Sequence, residues 1–156
     1  MKEENTFRYY LAYGSNLNLA QMQTRCPDAR VAGTAELKDR RLLFKGGERG
    51  RYLTVERAEG RSVPVAVWTV SERDERSLDR YEGFPHFYYK EELEVTLREA
   101  GSGERRTVKA FVYIMHEAFR PGPPAESYMA LCREGYRDFG FDRALLDEAY
   151  AFSCGE

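Results

Sequence analysis

The hydrophobic pattern opens with a short aromatic and aliphatic run, Arg8 to Tyr13, that stops at Gly14, Ser15 and Asn16. Those three residues favour turns and helix caps, so a strand leading into a loop is predicted. Leu19, Met22 and Cys26 then recur at helical spacing, with Asn18 placed to cap the helix and Pro27 to end it. From Val31 to Val70 the pattern becomes strand-like. It divides into Val31 to Leu37, Arg41 to Lys45, Tyr52 to Arg57 and Val63 to Val70, with polar breaks at Lys38-Asp39-Arg40, Gly46 to Gly50 and Ala58 to Arg61. Short turns between consecutive strands imply antiparallel pairing.

Ser71 and Asp74 have the spacing of a capping box, which starts a helix whose inward edge is read as Leu78 and Tyr81. Gly83 and Pro85 terminate it. Tyr88 to Arg98 alternates through Leu93, Val95 and Leu97, and Gly101-Ser102-Gly103 turns it into a second strand ending in the unbroken apolar run Ala110 to Met115. Such a run implies burial on both faces, as in a closed sheet. After an irregular stretch from Pro121 to Pro124, an amphipathic helix is traced by Tyr128, Leu131, Cys132, Gly135, Tyr136 and Phe139. A last helix carries Leu145, Ala149 and Phe152, with Asp142 as a cap and Phe141 stapled onto Leu146.

No repeat, low-complexity tract or linker interrupts this order, so residues 1–156 read as one domain. The fold class expected is α+β: a small mixed, mostly antiparallel barrel of about six or seven strands with three to four packed helices, closure being the economical way to remove sheet edges. The chain has 156 residues, 42% hydrophobic and 32% charged, and at that size roughly two-thirds of the unfolded surface can be buried. Its less ordinary number is aromatic, with 11 Tyr, 9 Phe and 1 Trp. Tyrosine suits pocket walls as well as cores, since it joins an apolar face to a polar tip.

Charge changes the picture mainly by exclusion. Lys and Arg total 24 against 26 Asp and Glu, interspersed along the chain, which makes no electrostatic case for nucleic acid. No apolar stretch reaches the ~20 residues of a membrane span, and the polar start from Met1 to Thr6 is not a signal peptide, which leaves the cytoplasm as the default compartment. Cys26, Cys132 and Cys154 are odd in number and share no C-x-x-C spacing, and neither His86 nor His116 sits in a ligand pattern. Neither a disulfide framework nor a metal site is expected.

Two segments carry candidate chemistry. Tyr13-Gly14-Ser15-Asn16-Leu17 runs from a strand end through a small-residue turn, where backbone N–H groups can converge on an anion; an ordinary strand-to-helix turn looks the same. Glu82 stands at the end of a helix, where the dipole disfavours its charge, and has Tyr81, Phe84 and Phe87 around it in sequence. Both effects raise a carboxylate towards the range of a general base. Cys132, on the apolar face of its helix, reads as an inert buried thiol unless His86 or His116 activates it, and Ser15 lacks a nucleophile-elbow context.

The combination of these segments is more specific than either. Tyr13-Gly-Ser-Asn-Leu17 after the first strand, then Met22, Arg25-Cys-Pro27 and Ala29, then Leu78-Asp-x-x-Glu82-Gly with Tyr88 downstream, resembles the γ-glutamylcyclotransferase family. The likeness extends through Tyr128 and Gly135 to Gly140. It implies a barrel with a pocket at one opening and an enzyme that turns a γ-glutamyl amide into 5-oxoproline without metal or organic cofactor. Carried over, Tyr13 to Leu17 would hold the glutamyl group and Glu82 would be the acid/base group, with the hydroxyls of Tyr88, Tyr113 and Tyr128 as further pocket candidates. The Gly14 to Leu17 amides would either stabilise the carbonyl oxygen or grip the α-carboxylate. The expected partner is a small γ-glutamyl substrate, with no nucleic acid or membrane, and the protein a monomer or homodimer. The alternative is a non-catalytic barrel that binds an amino-acid-like ligand.

Overall fold

A computed structural model of the chain describes residues 6–155, so most of the polar N-terminal stretch from Met1 lies outside the described residues. Six strands are present: β1 (Phe7–Ala12), β2 (Arg30–Gly47), β3 (Gly50–Ser71), β4 (Tyr88–Glu99), β5 (Arg105–Met115) and the two-residue β6 (Arg120–Pro121). Four α-helices accompany them: α1 (Leu19–Arg25), α2 (Glu72–Glu82), α3 (Glu126–Phe139) and α4 (Ala144–Ser153). The sheet runs β3-β1-β5-β4-β2-β6, and a further β3–β2 pairing closes the first five strands into a barrel. Every pair is antiparallel except β1 with β5.

Where four strands were expected between Val31 and Val70 there are two long ones, forming a single hairpin. Lys38-Asp39-Arg40 and Ala58 to Arg61 are not chain reversals. They stand near one another across the ladder, which runs from Lys38↔Ser62 to Arg40↔Arg57 through a bulge. Asp39 absorbs the kink with φ 61° and accepts a hydrogen bond from the Gly60 N–H at 3.0 Å. An exposed bend and a turn need the same polar residues, because both leave backbone groups to solvent or to short side chains. The true reversal is at the glycine-rich tip, where Gly47 pairs with Gly50.

The remaining elements follow the sequence signals closely. Asn18 caps α1 by accepting from the Gln21 N–H at 3.1 Å. Ser71 and Asp74 form a reciprocal capping box on α2, and Gly83 closes that helix in the left-handed region at φ 67°. Leu78 is fully buried, which contributes about 1.5–3 kcal/mol relative to exposure. Tyr81, expected to face inward with it, is 44% exposed, and Leu19 is exposed as well. Ala110 to Met115 are all buried, as an unbroken run in a closed barrel requires. In α3 the buried face includes Met129 besides Cys132, Gly135 and Tyr136. The last helix has Arg143, not the expected Asp142, at its cap position, although Asp142 Oδ1 accepts from the Ala144 N–H at 3.0 Å, and Phe141 packs on Tyr136 and Phe139.

Two features position the functional end. β1 is paired on both sides, so the chain leaving it at Tyr13 starts from one of the most constrained places in the barrel. α3 then presses the following loop down, with Gly135 so close that a Cβ there would stand 2.8 Å from both the Asn18 nitrogen and the Leu17 Cβ. Backbone and Cβ atoms cannot swing aside. Gly135→Val is therefore expected to cost about 1–3 kcal/mol of stability by overpacking, read by chemical denaturation; an unchanged midpoint would contradict the close approach.

Candidate active site

A cavity of about 590 Å³ opens at the end of the barrel where β1 delivers its loop. Tyr13, Gly14, Ser15 and Asn16 line one side, Glu82 and Gly83 another, and Tyr88, Tyr113 and Tyr128 contribute rings. Eight of the nine residues picked out from the sequence thus share one chamber. Leu17 does not: its side chain is fully buried beneath the loop, on the α3 side. Its N–H is also committed, donating to the Gly14 carbonyl at 3.0 Å in the single 3-10 turn Ser15–Leu17. Among the described residues the N–H groups of Gly14, Ser15 and Asn16 have no protein acceptor, which leaves them as the unpaired donors of the loop.

Asn16 is the hub. It is almost wholly buried, and each of its polar atoms except the backbone N–H is used. Its carbonyl oxygen accepts from Trp68 Nε1 at 3.2 Å, and its Oδ1 accepts from Arg25. Its Nδ2 donates to the Tyr10 hydroxyl at 2.8 Å and makes a longer contact, 3.4 Å, to Glu82 Oε2. Arg25 reaches this point from the end of α1, held by Gln21 Oε1 at 2.9 Å and lying over the Tyr81 ring at 3.5 Å. Ser15 Oγ and the Tyr81 hydroxyl close the circuit at 2.9 Å. The half-exposed Tyr81 is therefore part of the cavity rim, which is why it does not face the core.

Glu82 is the last residue of α2, partly buried in the cavity wall. Burial pushes its carboxyl up to about 8, against a smaller downward pull from the Arg25 charge. The tyrosine hydroxyls are differently placed from expectation, because protein groups already claim them. Tyr13 donates to the Tyr113 carbonyl at 2.7 Å, Tyr88 to the Leu53 carbonyl at 2.7 Å, and Tyr113 to Asp79 Oδ1 at 2.6 Å. Tyr128 accepts from the Leu53 N–H at 3.1 Å and keeps its own proton to donate. Burial raises the pKa of all four, so none is ionised near neutrality.

The other candidates lie elsewhere. Cys132 is fully buried, its thiol pushed up to about 12 by desolvation, and it does not line the cavity. His116 is held on the Pro85 carbonyl at 2.7 Å and His86 is exposed, both outside the chamber. Arg25 entered the sequence reading only through the Arg25-Cys-Pro27 element of the family likeness, with no role attached, and Tyr10 only as an apolar strand position. Among the described residues no cluster of His, Cys, Asp and Glu is arranged to hold a metal ion, and no helix is long and apolar enough to cross a membrane.

This constellation of loop, glutamate and barrel coincides with a known family. The family model described as Gamma-glutamyl cyclotransferase, AIG2-like, matches residues 10–130, which include the loop, Arg25, Glu82 and Tyr128. The chain belongs to this family. It is similar to a mouse protein named Gamma-glutamylcyclotransferase, 29% identical over 163 residues that span 99% of this chain and 83% of the relative. A human protein of the same name is 27% identical over 146 residues, 88% of this chain and 74% of that one. The fold matches a solved structure named Gamma-glutamyl cyclotransferase with a TM-score of 0.78, at 24% identity, covering 94% of this chain and 88% of that chain.

For a member of this cyclotransferase family, the raised carboxyl has a stability signature. Unfolded, Glu82 would lose its proton near 4.5; folded, it keeps it to about 8. Between those values the native state binds the extra proton, so Glu82 costs stability progressively as pH rises, and the cost levels off above the folded value. Glu82→Gln, which cannot ionise, is expected to gain melting temperature relative to the unaltered protein as pH goes from 5 to 8. A difference constant across that range would show that Glu82 is not desolvated.

Proposed function

We propose that this chain cyclises the γ-glutamyl group of a γ-glutamyl amide to 5-oxoproline, with Glu82 moving the protons and the Gly14–Asn16 amides holding the glutamyl group. The observation that carries this reading is the position of Glu82: a carboxyl raised to about 8, beside unpaired backbone donors, in a cavity of substrate size.

The substrate supplies its own nucleophile, because its α-amine can reach the γ-carbonyl carbon and close a five-membered ring. Binding in a folded-back shape converts that closure into a high-effective-concentration step. The amine arrives as ammonium and must lose a proton before it can attack. Glu82, raised above the ordinary carboxylate range, is placed and basic enough to take that proton. The freed amine attacks, forming the bond to the γ-carbonyl carbon. Glu82 then donates its proton to the nitrogen of the departing amine as the old amide bond breaks, takes one from the ring nitrogen, and passes that one to the released amine, which leaves as ammonium with Glu82 a carboxylate again. Protons balance, and no covalent enzyme intermediate is involved.

Arg25 sets the range over which this works. Its charge limits the rise of Glu82, and its bond to Asn16 Oδ1 turns the amide so that Nδ2 faces Tyr10 and Glu82. The pair formed by Glu82 and the substrate amine must hold one proton between them. The profile of kcat/KM is accordingly expected to be bell-shaped with its acidic limb near pH 8, set by Glu82, and Arg25→Gln to move that limb to higher pH. Glu82→Gln, still folded, is expected to lose 5-oxoproline release about 10²-fold or more. Cys132→Ala should turn over normally. Unchanged turnover in Glu82→Gln would sink the reading, and binding without 5-oxoproline from any γ-glutamyl compound would favour a ligand-binding barrel.

A further inference from the structure

With the glutamyl group assigned above to the Gly14–Asn16 loop and Glu82, the rest of the cavity must hold whatever amine departs. That space is walled by aromatic rings. Phe119 packs edge-on against Phe87 with centroids 4.8 Å apart, Phe87 against Tyr52 at 6.1 Å, and Tyr52 against Tyr128 at 5.0 Å. All four line the cavity. Tyr128 joins the wall to the glutamyl loop, its hydroxyl 3.3 Å from where a Cβ on Gly14 would stand. Phe119 joins it to the β2–β3 tip, because the next residues, Arg120–Pro121, pair with Lys45 and Gly46.

The rim above this wall is charged and unbalanced. Arg49 and Arg80 line the cavity together with Glu48, and among the described residues neither arginine is in an ion pair. A cationic leaving group would meet a net positive rim. A carboxylate would be welcome there, and a flat apolar side chain would cover the rings below.

We propose that the outer half of the cavity is a subsite for an aromatic or bulky apolar α-amino acid, its side chain on the Tyr52–Phe87–Phe119 wall and its carboxylate towards Arg49 and Arg80. The preferred substrates are then γ-glutamyl amides of such amino acids. This rests on the cyclotransferase reading above. Removing a phenyl-sized group from water into a wall of this kind is worth about 10- to 100-fold in kcat/KM.

The test measures kcat/KM for 5-oxoproline release from γ-glutamylphenylalanine, γ-glutamylglycine, γ-glutamylphenethylamine and ε-(γ-glutamyl)lysine. Expected is a preference of about tenfold or more for the phenylalanine compound over the glycine one, and about fivefold over phenethylamine, which lacks the carboxylate. Phe119→Ala, or the milder Tyr52→Leu, is expected to reduce the phenylalanine-to-glycine ratio about fivefold or more. Equal or better turnover of the glycine or lysine compound overturns the subsite and leaves the cyclotransferase reading intact. If no compound releases 5-oxoproline, that reading fails, and calorimetry on Glu82→Gln decides the subsite separately. Tighter binding of γ-glutamylphenylalanine than of γ-glutamylglycine supports it; equal or absent binding overturns it.

Discussion

The functional end of this barrel depends on one buried amide. Asn16 joins the strand–loop–helix unit to Trp68 on β3, to Arg25 on α1, to Tyr10 on β1 and to Glu82 on α2, so four elements meet on a single side chain and its carbonyl. A side-chain amide suits such a hub because it offers donors and an acceptor at once, and in a buried setting each must find a partner. Aspartate would bring a charge next to Glu82 and lose the donors. Satisfying Asn16 therefore fixes both the loop that presents free N–H groups and the distance of the glutamate from it.

The tyrosine-rich composition has a physical role that extends this constraint. Tyr13, Tyr88 and Tyr113 place their rings on the cavity and spend their hydroxyls on backbone or carboxylate partners behind it. The polar tips are satisfied, which is what allows the rings to be buried, and the rings make the chamber a place where an ionised carboxylate is poorly solvated. Glu82 is raised by that surrounding, while Arg25 limits the rise from the far side of Asn16. Behind Tyr113 the chain Asp79–Lys90–Glu75–Arg8, with nitrogen–oxygen distances of 2.9, 2.6 and 2.8 Å, braces α2 against β1 and β4. The helix that ends in Glu82 is thus held at its flank as well as its tip.

How much of this was legible along the chain varied with the range of the interaction. Capping signals were reliable, because Asn18 with Gln21 and Ser71 with Asp74 act within three residues. Lys38 to Arg40 reads as a break between strands but is an outward kink in one long strand, since the two use the same polar residues and only the partner strand distinguishes them. Leu17 was placed in the site by its neighbours, yet a 3-10 turn rotates successive residues to different sides and sent it under the loop. Tyr81 went the opposite way, from an assumed core position to the rim, drawn there by Arg25 and Ser15.

Local pattern by itself determined the strand that ends in Tyr13, the small-residue loop after it, and a glutamate at the end of a capped helix, because backbone conformation and helix termini answer to residues a few positions apart. Tertiary structure alone decided that Arg25 would touch Asn16, that the hydroxyls of Tyr13, Tyr88 and Tyr113 would be consumed by protein partners, and that Tyr52, Phe87, Phe119 and Tyr128 would form one wall. These are contacts between strands and helices far apart in sequence, set by how the barrel closes. No periodicity in the chain encodes them, since closure is a property of all five strands together.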